Sequence, residues 1–179
     1  NLYNIAAGEE LAAKLVANTF ADRVFFCNSG TEAIECGFKA IRRYFHDKGQ
    51  SQRNRIISMT GAFHGRSLAA IASAANPAHC EGFIVGDPGF DQAEFGNIES
   101  LKALISETTA AIVIEPVQGE GGITVASRKF LKAVRDLCDS NDILLMFDEV
   151  QCGIARTGSL YAYEQLGVSP DLLASAKGL

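Results

Sequence analysis

Ile143-Leu144-Leu145-Met146-Phe147-Asp148-Glu149-Val150-Gln151 is the stretch that decides the fold. Five apolar residues in a row, with no polar alternation, read as a strand covered on both faces. Such strands belong to parallel sheets packed between helices. The run ends on two acids. An acid that directly follows a covered strand is itself partly buried, and it stays charged only with a cation or strong donors beside it. Residues 110–114, Ala-Ala-Ile-Val-Ile, repeat the pattern and also end on an acid, Glu115. Arg55–Met59 reads as a third strand, and residues 24–27, 82–85 and 171–176 as shorter ones. The segments between them carry helical spacing. Leu11, Leu15, Val16 and Phe20 share one face, as do Ile34, Phe38, Ile41 and Phe45. Residues 64–75, 97–107 and 160–166 read as helices, and Ser127 can cap one bearing Phe130, Leu131, Val134, Leu137 and Cys138. Strands alternating with helices imply right-handed crossovers, hence an α/β fold with a mainly parallel sheet and helices on both faces.

The chain has 179 residues, enough for one domain or one large piece of one. Its apolar share of 47% excludes a disordered chain. With 16 basic against 21 acidic side chains the net charge is -5, which argues against nucleic acid and against an anionic membrane surface as partners. Five cysteines include no Cys-x-x-Cys, so no metal site is expected. Cys27 and Cys138 lie in apolar runs and read as reduced core thiols of a cytoplasmic protein. The first residue is Asn1 and the last words are Lys177-Gly178-Leu179, so a fragment of a longer protein is expected.

Ligands of a parallel sheet gather beyond the carboxyl ends of its strands. After residues 24–27 comes Asn28-Ser29-Gly30-Thr31-Glu32, where Ser29 and Glu32 have capping-box spacing. Alone the segment reads first as a plain helix start; the other reading is an anion cradle, with Gly30 admitting a ligand to backbone N–H groups. After Arg55–Met59 comes Gly61-Ala62-Phe63-His64-Gly65-Arg66, with a ring, an imidazole and a guanidinium in four residues; alone it is also an ordinary loop. Glu115-Pro116-Val117-Gln118-Gly119-Glu120-Gly121-Gly122 matches neither the dinucleotide nor the P-loop fingerprint and reads as a mobile loop with two acids. Asp148 fits a structural ion pair as well as a functional one. Lys177 sits at the end of the last strand, on the same rim as Asp148 and Thr31. Together an anion cradle, an acid and a lysine match what pyridoxal 5'-phosphate needs: a phosphate site, a partner for its ring nitrogen and an amine for covalent attachment. A lysine desolvated there can act as nucleophile and proton shuttle.

The chain resembles the class III pyridoxal-phosphate aminotransferases. The resemblance rests on Asn28-Ser29-Gly30-Thr31-Glu32-Ala33, Phe63-His64-Gly65-Arg66, Glu115-Pro116-Val117-Gln118-Gly119-Glu120-Gly121, Phe147-Asp148-Glu149-Val150-Gln151 and Ser175-Ala176-Lys177-Gly178-Leu179. These arrive in the family's order and span nearly the whole chain. The resemblance implies a fold-type I large domain, a homodimer with shared active sites and pyridoxal phosphate as cofactor. It implies that Gly30 and Thr31 hold the phosphate, that Phe63 stacks on the ring, and that Asp148 pairs with the ring nitrogen. It places Val150 and Gln151 beside the cofactor and makes Lys177 the lysine that binds it covalently. Arg66 is implied to grip a substrate carboxylate, and Glu120 to pair with an arginine of the C-terminal domain. The implied reaction moves an amino group from N2-acetylornithine, or a similar ω-amino donor, to 2-oxoglutarate, within arginine biosynthesis. Ornithine, succinylornithine and 4-aminobutyrate as donors, glutamate semialdehyde aminomutation, and a non-catalytic α/β binding module are the alternatives. Residues 1–179 are expected to be part of the large domain, without the family's N-terminal segment and its C-terminal small domain. The sheet is accordingly expected to be incomplete, with residues 24–27 lying apart from the other strands.

Overall fold

The computed structural model describes residues 3–84 and 86–179. In chain order the elements are α1 (Ala6–Asn18), α2 (Gly30–Asp47), β1 (Arg55–Met59), α3 (Leu68–Ala74), α4 (Pro77–Cys80), β2 (Phe90–Ala93) and α5 (Ile98–Leu104). Then follow β3 (Thr109–Ile114), β4 (Val117–Gln118), β5 (Thr124–Val125), α6 (Arg128–Asn141), β6 (Leu144–Asp148), α7 (Ala162–Leu166) and β7 (Leu172–Ala174). Five strands form one sheet in the order β2-β1-β3-β6-β7, and every neighbouring pair is parallel.

The uninterrupted apolar strands are explained by two cores. Ile57, Met59, Ile112, Ile114, Leu145 and Phe147 point to one face and meet Leu101 of α5 and Phe130, Leu131 and Val134 of α6. Their chain neighbours Ile56, Ala111, Val113 and Met146 point to the other and meet Ile34, Phe38, Ile41 and Phe45 of α2. A side-chain period of two therefore feeds both layers at once. Fully burying each such Leu, Ile or Phe contributes about 1.5–3 kcal/mol. The helix starts follow the capping rule: Ser127 Oγ accepts the Phe130 N–H at 3.1 Å, and Asn97 Oδ1 accepts those of Glu99 and Ser100.

Several elements differ from the sequence reading. Residues 24–27 lie apart from the sheet, as expected, and pair with no strand among the described residues, but Phe25 is 64% exposed and Cys27 is exposed too, not a core thiol. Their apolar pattern alone was the strand signal, and here no neighbour covers it. Residues 82–84 form a turn after α4 rather than a strand, and Val85 lies outside the described residues. The edge strand β2 went unread because Phe90-Asp91-Gln92-Ala93 is half polar; its Asp91 is held in two hydrogen bonds by Arg55 of β1, at 2.8 and 2.7 Å. The helix expected over 64–75 begins only at Leu68, since residues 61–66 carry positive φ at Gly61 and Gly65. The glycine loop 119–122 forms the turn of a hairpin, β4 with β5. No helix among the described residues is long and apolar enough to cross a membrane.

Candidate active site

The carboxyl ends of β1, β3, β6 and β7 bring the motif residues to one rim. Asp148 is the last residue of β6 and is 4% exposed. Its Oδ2 is 2.7 Å from His64 Nδ1, and its Oδ1 accepts the Val150 N–H at 3.0 Å. The partner that a buried acid requires is thus an imidazole from the loop after β1, reaching across β3. His64 is buried in turn, and its Nε2 lies 3.1 Å from Ser58 Oγ, inside β1. Burial pushes the His64 pKa down, but the bond to Asp148 and the charges of Asp148 and Glu115 outweigh it, so the net direction is upward. Glu115, at the end of β3, accepts the Phe63 N–H at 3.1 Å. Burial and the nearby Asp148 raise it to about 7, against the opposing pull of His64 and of the Phe63 and Gly119 N–H groups.

The α2 N-terminus closes the other side. Ser29 Oγ accepts the Glu32 N–H at 3.2 Å, while the Glu32 carboxylate reaches back to the Asn28 N–H at 2.5 Å, one residue beyond the N-cap of the expected box. Gly30 is packed so closely that a Cβ there would stand 2.6 Å from Val150 Cγ1 and 3.4 Å from the Ala176 Cβ. Gly65, at φ 120°, leaves a similar gap for Thr31. The two glycines seat the start of α2 against the ends of β6 and β7 and against the His64 loop. Helix N-termini of this kind attract anions.

Lys177 follows β7 and stands at φ 53°, in a tight turn closed by the Gly178 N–H on the Ala176 carbonyl at 2.5 Å. Such a conformation costs a non-glycine residue about 1–3 kcal/mol and clusters at functional sites. The side chain is exposed, not desolvated as the sequence reading had it. Phe63 is half-buried, and the Arg66 guanidinium lies 5.7 Å from its ring centre, a cation–π distance. Gln151 packs against Gly119, where no Cβ would fit, and Glu120 is exposed on the same loop.

The structure therefore brings Gly30, Thr31, Phe63, Asp148, Val150 and Lys177 to one rim, with Arg66 over the Phe63 ring and Gln151 and Glu120 at the 118–122 loop. Four participants went unassigned in the sequence reading. His64 and Ser58 were unassigned because a single imidazole or hydroxyl carries no spacing signal. Glu115 had only its place after a covered strand, the same signal that singled out Asp148. Glu149 is fully buried and accepts the Ala162 and Tyr163 N–H groups at 2.6 and 2.9 Å, anchoring α7 to the end of β6. A separate surface pocket, bounded by Gln50, Arg53, Ile105 and Asn141, lies at the opposite, amino-terminal ends of the strands.

Comparison with known proteins points the same way. The family model for class III aminotransferases matches residues 1–179. The acetylornithine aminotransferase of Agrobacterium fabrum is 53% identical over all of this chain, which covers 45% of that protein. The acetylornithine aminotransferase of Rhodobacter capsulatus is 55% identical, with 46% covered. Among solved structures, the N-acetylornithine aminotransferase from Stenotrophomonas maltophilia superposes with a TM-score of 0.83 at 37% identity, over 99% of this chain and 44% of that one. An aminotransferase from Bacillus anthracis reaches 0.90 at 31% identity, over 98% and 44%. The chain spans about half the length of the curated relatives it matches.

Proposed function

Since the chain belongs to the class III aminotransferases, we propose that it is part of the large domain of a pyridoxal-phosphate-dependent transaminase. The observation that carries this is the His64–Asp148 pair at the head of the rim, 2.7 Å apart and buried. A buried carboxylate fixed by an imidazole offers the kind of partner that a protonated ring nitrogen needs. The rest of the donor set fits the same group: a helix N-terminus with Gly30 and Thr31 for a phosphate, the Phe63 ring for stacking, and Lys177 for covalent attachment. Val150 and Gln151 would complete its lining. When bound, pyridoxal phosphate supplies an electron sink for carbanion chemistry.

The residues of this chain then divide the work. Asp148 would face the ring nitrogen and favour its protonated form. Lys177, on its tight turn, moves a proton to and from the substrate carbon. Arg66 binds a substrate carboxylate through two parallel hydrogen bonds, which a lysine could not reproduce. Glu120, exposed on the glycine-flanked loop, neutralises an arginine from elsewhere in the assembled enzyme during one half-reaction and releases it for the other. The donor is an ω-amino acid derivative of the N2-acetylornithine type, by the names of the relatives, and the acceptor is 2-oxoglutarate. The setting is arginine biosynthesis in the cytoplasm, and the assembly a homodimer. The test is borohydride reduction of the full-length, cofactor-loaded protein followed by peptide mapping. The cofactor is expected on Lys177; label on another lysine, or none, overturns the reading.

A further inference from the structure

Strand β1 carries one polar residue in its buried run, Ser58 between Ile57 and Met59, and it is fully buried. A hydroxyl in a core is costly unless bonded, and this one meets His64 Nε2 at 3.1 Å, with His64 Nδ1 on Asp148 beyond it. Serine, imidazole and carboxylate thus stand in line, as in a hydrolytic triad. The serine end is sealed in the core, so it cannot serve as a nucleophile. The open end is the carboxylate.

We infer that Ser58 is a positioning residue that acts on Asp148 through His64. A hydroxyl can accept or donate. With two protons on the imidazole, Nδ1–H bonds Asp148 and Nε2–H bonds Ser58 Oγ. With one, Nδ1–H stays on Asp148 and Ser58 donates to Nε2. Asp148 keeps the same hydrogen bond in either state, so its position holds while the charge behind it changes. Without the hydroxyl, a proton on Nε2 would be a buried donor with no acceptor, and the imidazole would be driven toward neutrality. The charged groups facing His64 are Asp148 and Glu115, and both favour its cation. Ser58 therefore tunes the relay rather than creating it. The role deepens the transaminase reading, and only its kinetic arm rests on that reading.

The experiment uses the full-length protein in two forms. In cofactor-free protein, 15N-imidazole NMR follows His64, with the exposed His46 as internal control; its Nδ1 also meets a serine, Ser51, at 2.9 Å. Ser58→Ala is expected to lower the His64 midpoint by about one pH unit, tenfold in proton affinity, and to leave His46 unmoved. Ser58→Thr restores the midpoint; should the extra methyl prevent folding, Ser58→Cys, a weaker partner, falls between. In loaded enzyme, Ser58→Ala is expected to reduce kcat about tenfold at neutral pH with KM within twofold. An unchanged His64 midpoint in Ser58→Ala overturns the relay. A shifted midpoint with unchanged kcat overturns the action on Asp148. If the protein proves to have no transaminase activity, the NMR arm still decides the relay and the transaminase reading alone falls.

Discussion

Gly65→Ala tests whether the His64 loop and the start of α2 are built as one piece. Two costs are readable from the structure. Gly65 stands at φ 120°, where an L-residue is strained by about 1–3 kcal/mol. The added Cβ would also stand 2.8 Å from Thr31 Cγ2 and 2.9 Å from Thr31 Cβ, with Thr31 Oγ1 closer still. Rotating Thr31 cannot relieve contact with its own Cβ, so backbone must move, at about a further 1–3 kcal/mol. The sum, about 4 kcal/mol, is a large share of the roughly 5–15 kcal/mol by which domains are stable. The assay is urea unfolding of cofactor-free protein for Gly65→Ala, Thr31→Ala and the double variant. Removing Oγ1 and Cγ2 of Thr31 should return part of the packing loss in the double variant, leaving the contact with the Thr31 Cβ and the φ cost in place. Loss below about 1 kcal/mol in Gly65→Ala, or strict additivity of the two changes, would refute the packing argument.

Asp148→Asn removes the anion that faces His64 and the candidate ring nitrogen; single-turnover amino transfer should slow by about 3–5 kcal/mol in barrier, two to four orders of magnitude, and a near-normal rate would show the role misassigned. Glu115 is raised from 4.5 to about 7, so the folded protein holds a proton that the unfolded chain releases earlier. Its contribution to stability is full below pH 4.5 and lost as pH rises through about 7, roughly 3 kcal/mol in all; urea midpoints at pH 5 and pH 8 should show the slope, and Glu115→Gln should flatten it. In the 179-residue chain Cys27 should react with a thiol reagent within minutes, whereas Cys138 and Cys152, buried and pushed up to about 12, should resist until unfolding; equal rates would contradict the burial.

What was legible in the sequence was what burial writes into it. The runs around Ile112 and Leu145 could be read as doubly covered strands because every position in them faces one of two cores. The helix of Ile34, Phe38, Ile41 and Phe45 was readable because one face alone is buried. Asp148 was readable as a buried acid from its place alone, but its partner was not. His64 reaches it from a loop 84 residues earlier in the chain, and nothing local marks such a contact. Residues 24–27 mark the opposite case: their apolar pattern is genuine and their separation from the sheet was expected, but a strand also needs neighbours on its hydrogen-bonding edges, and pattern says nothing of those. β2 escaped because an edge strand tolerates Asp and Gln that a central strand would not.

The strand order bears on how the chain reaches this state. Every pairing in the five-stranded sheet is parallel, and each joins residues far apart in sequence: Ile57 with Ile112, Ile112 with Leu145, Phe147 with Leu173. No hairpin within that sheet can form first and template the rest; among the described residues the one local strand pairing, β4 with β5, lies outside it. The entropy of closing long loops must be met before any ladder rewards it, so such a topology folds slowly and exposes apolar strands while it waits. The central strands, among the most apolar segments of the chain, are those that must wait longest for both neighbours. Synthesis and refolding of this protein are accordingly most vulnerable to aggregation in the interval before β6 docks against β3.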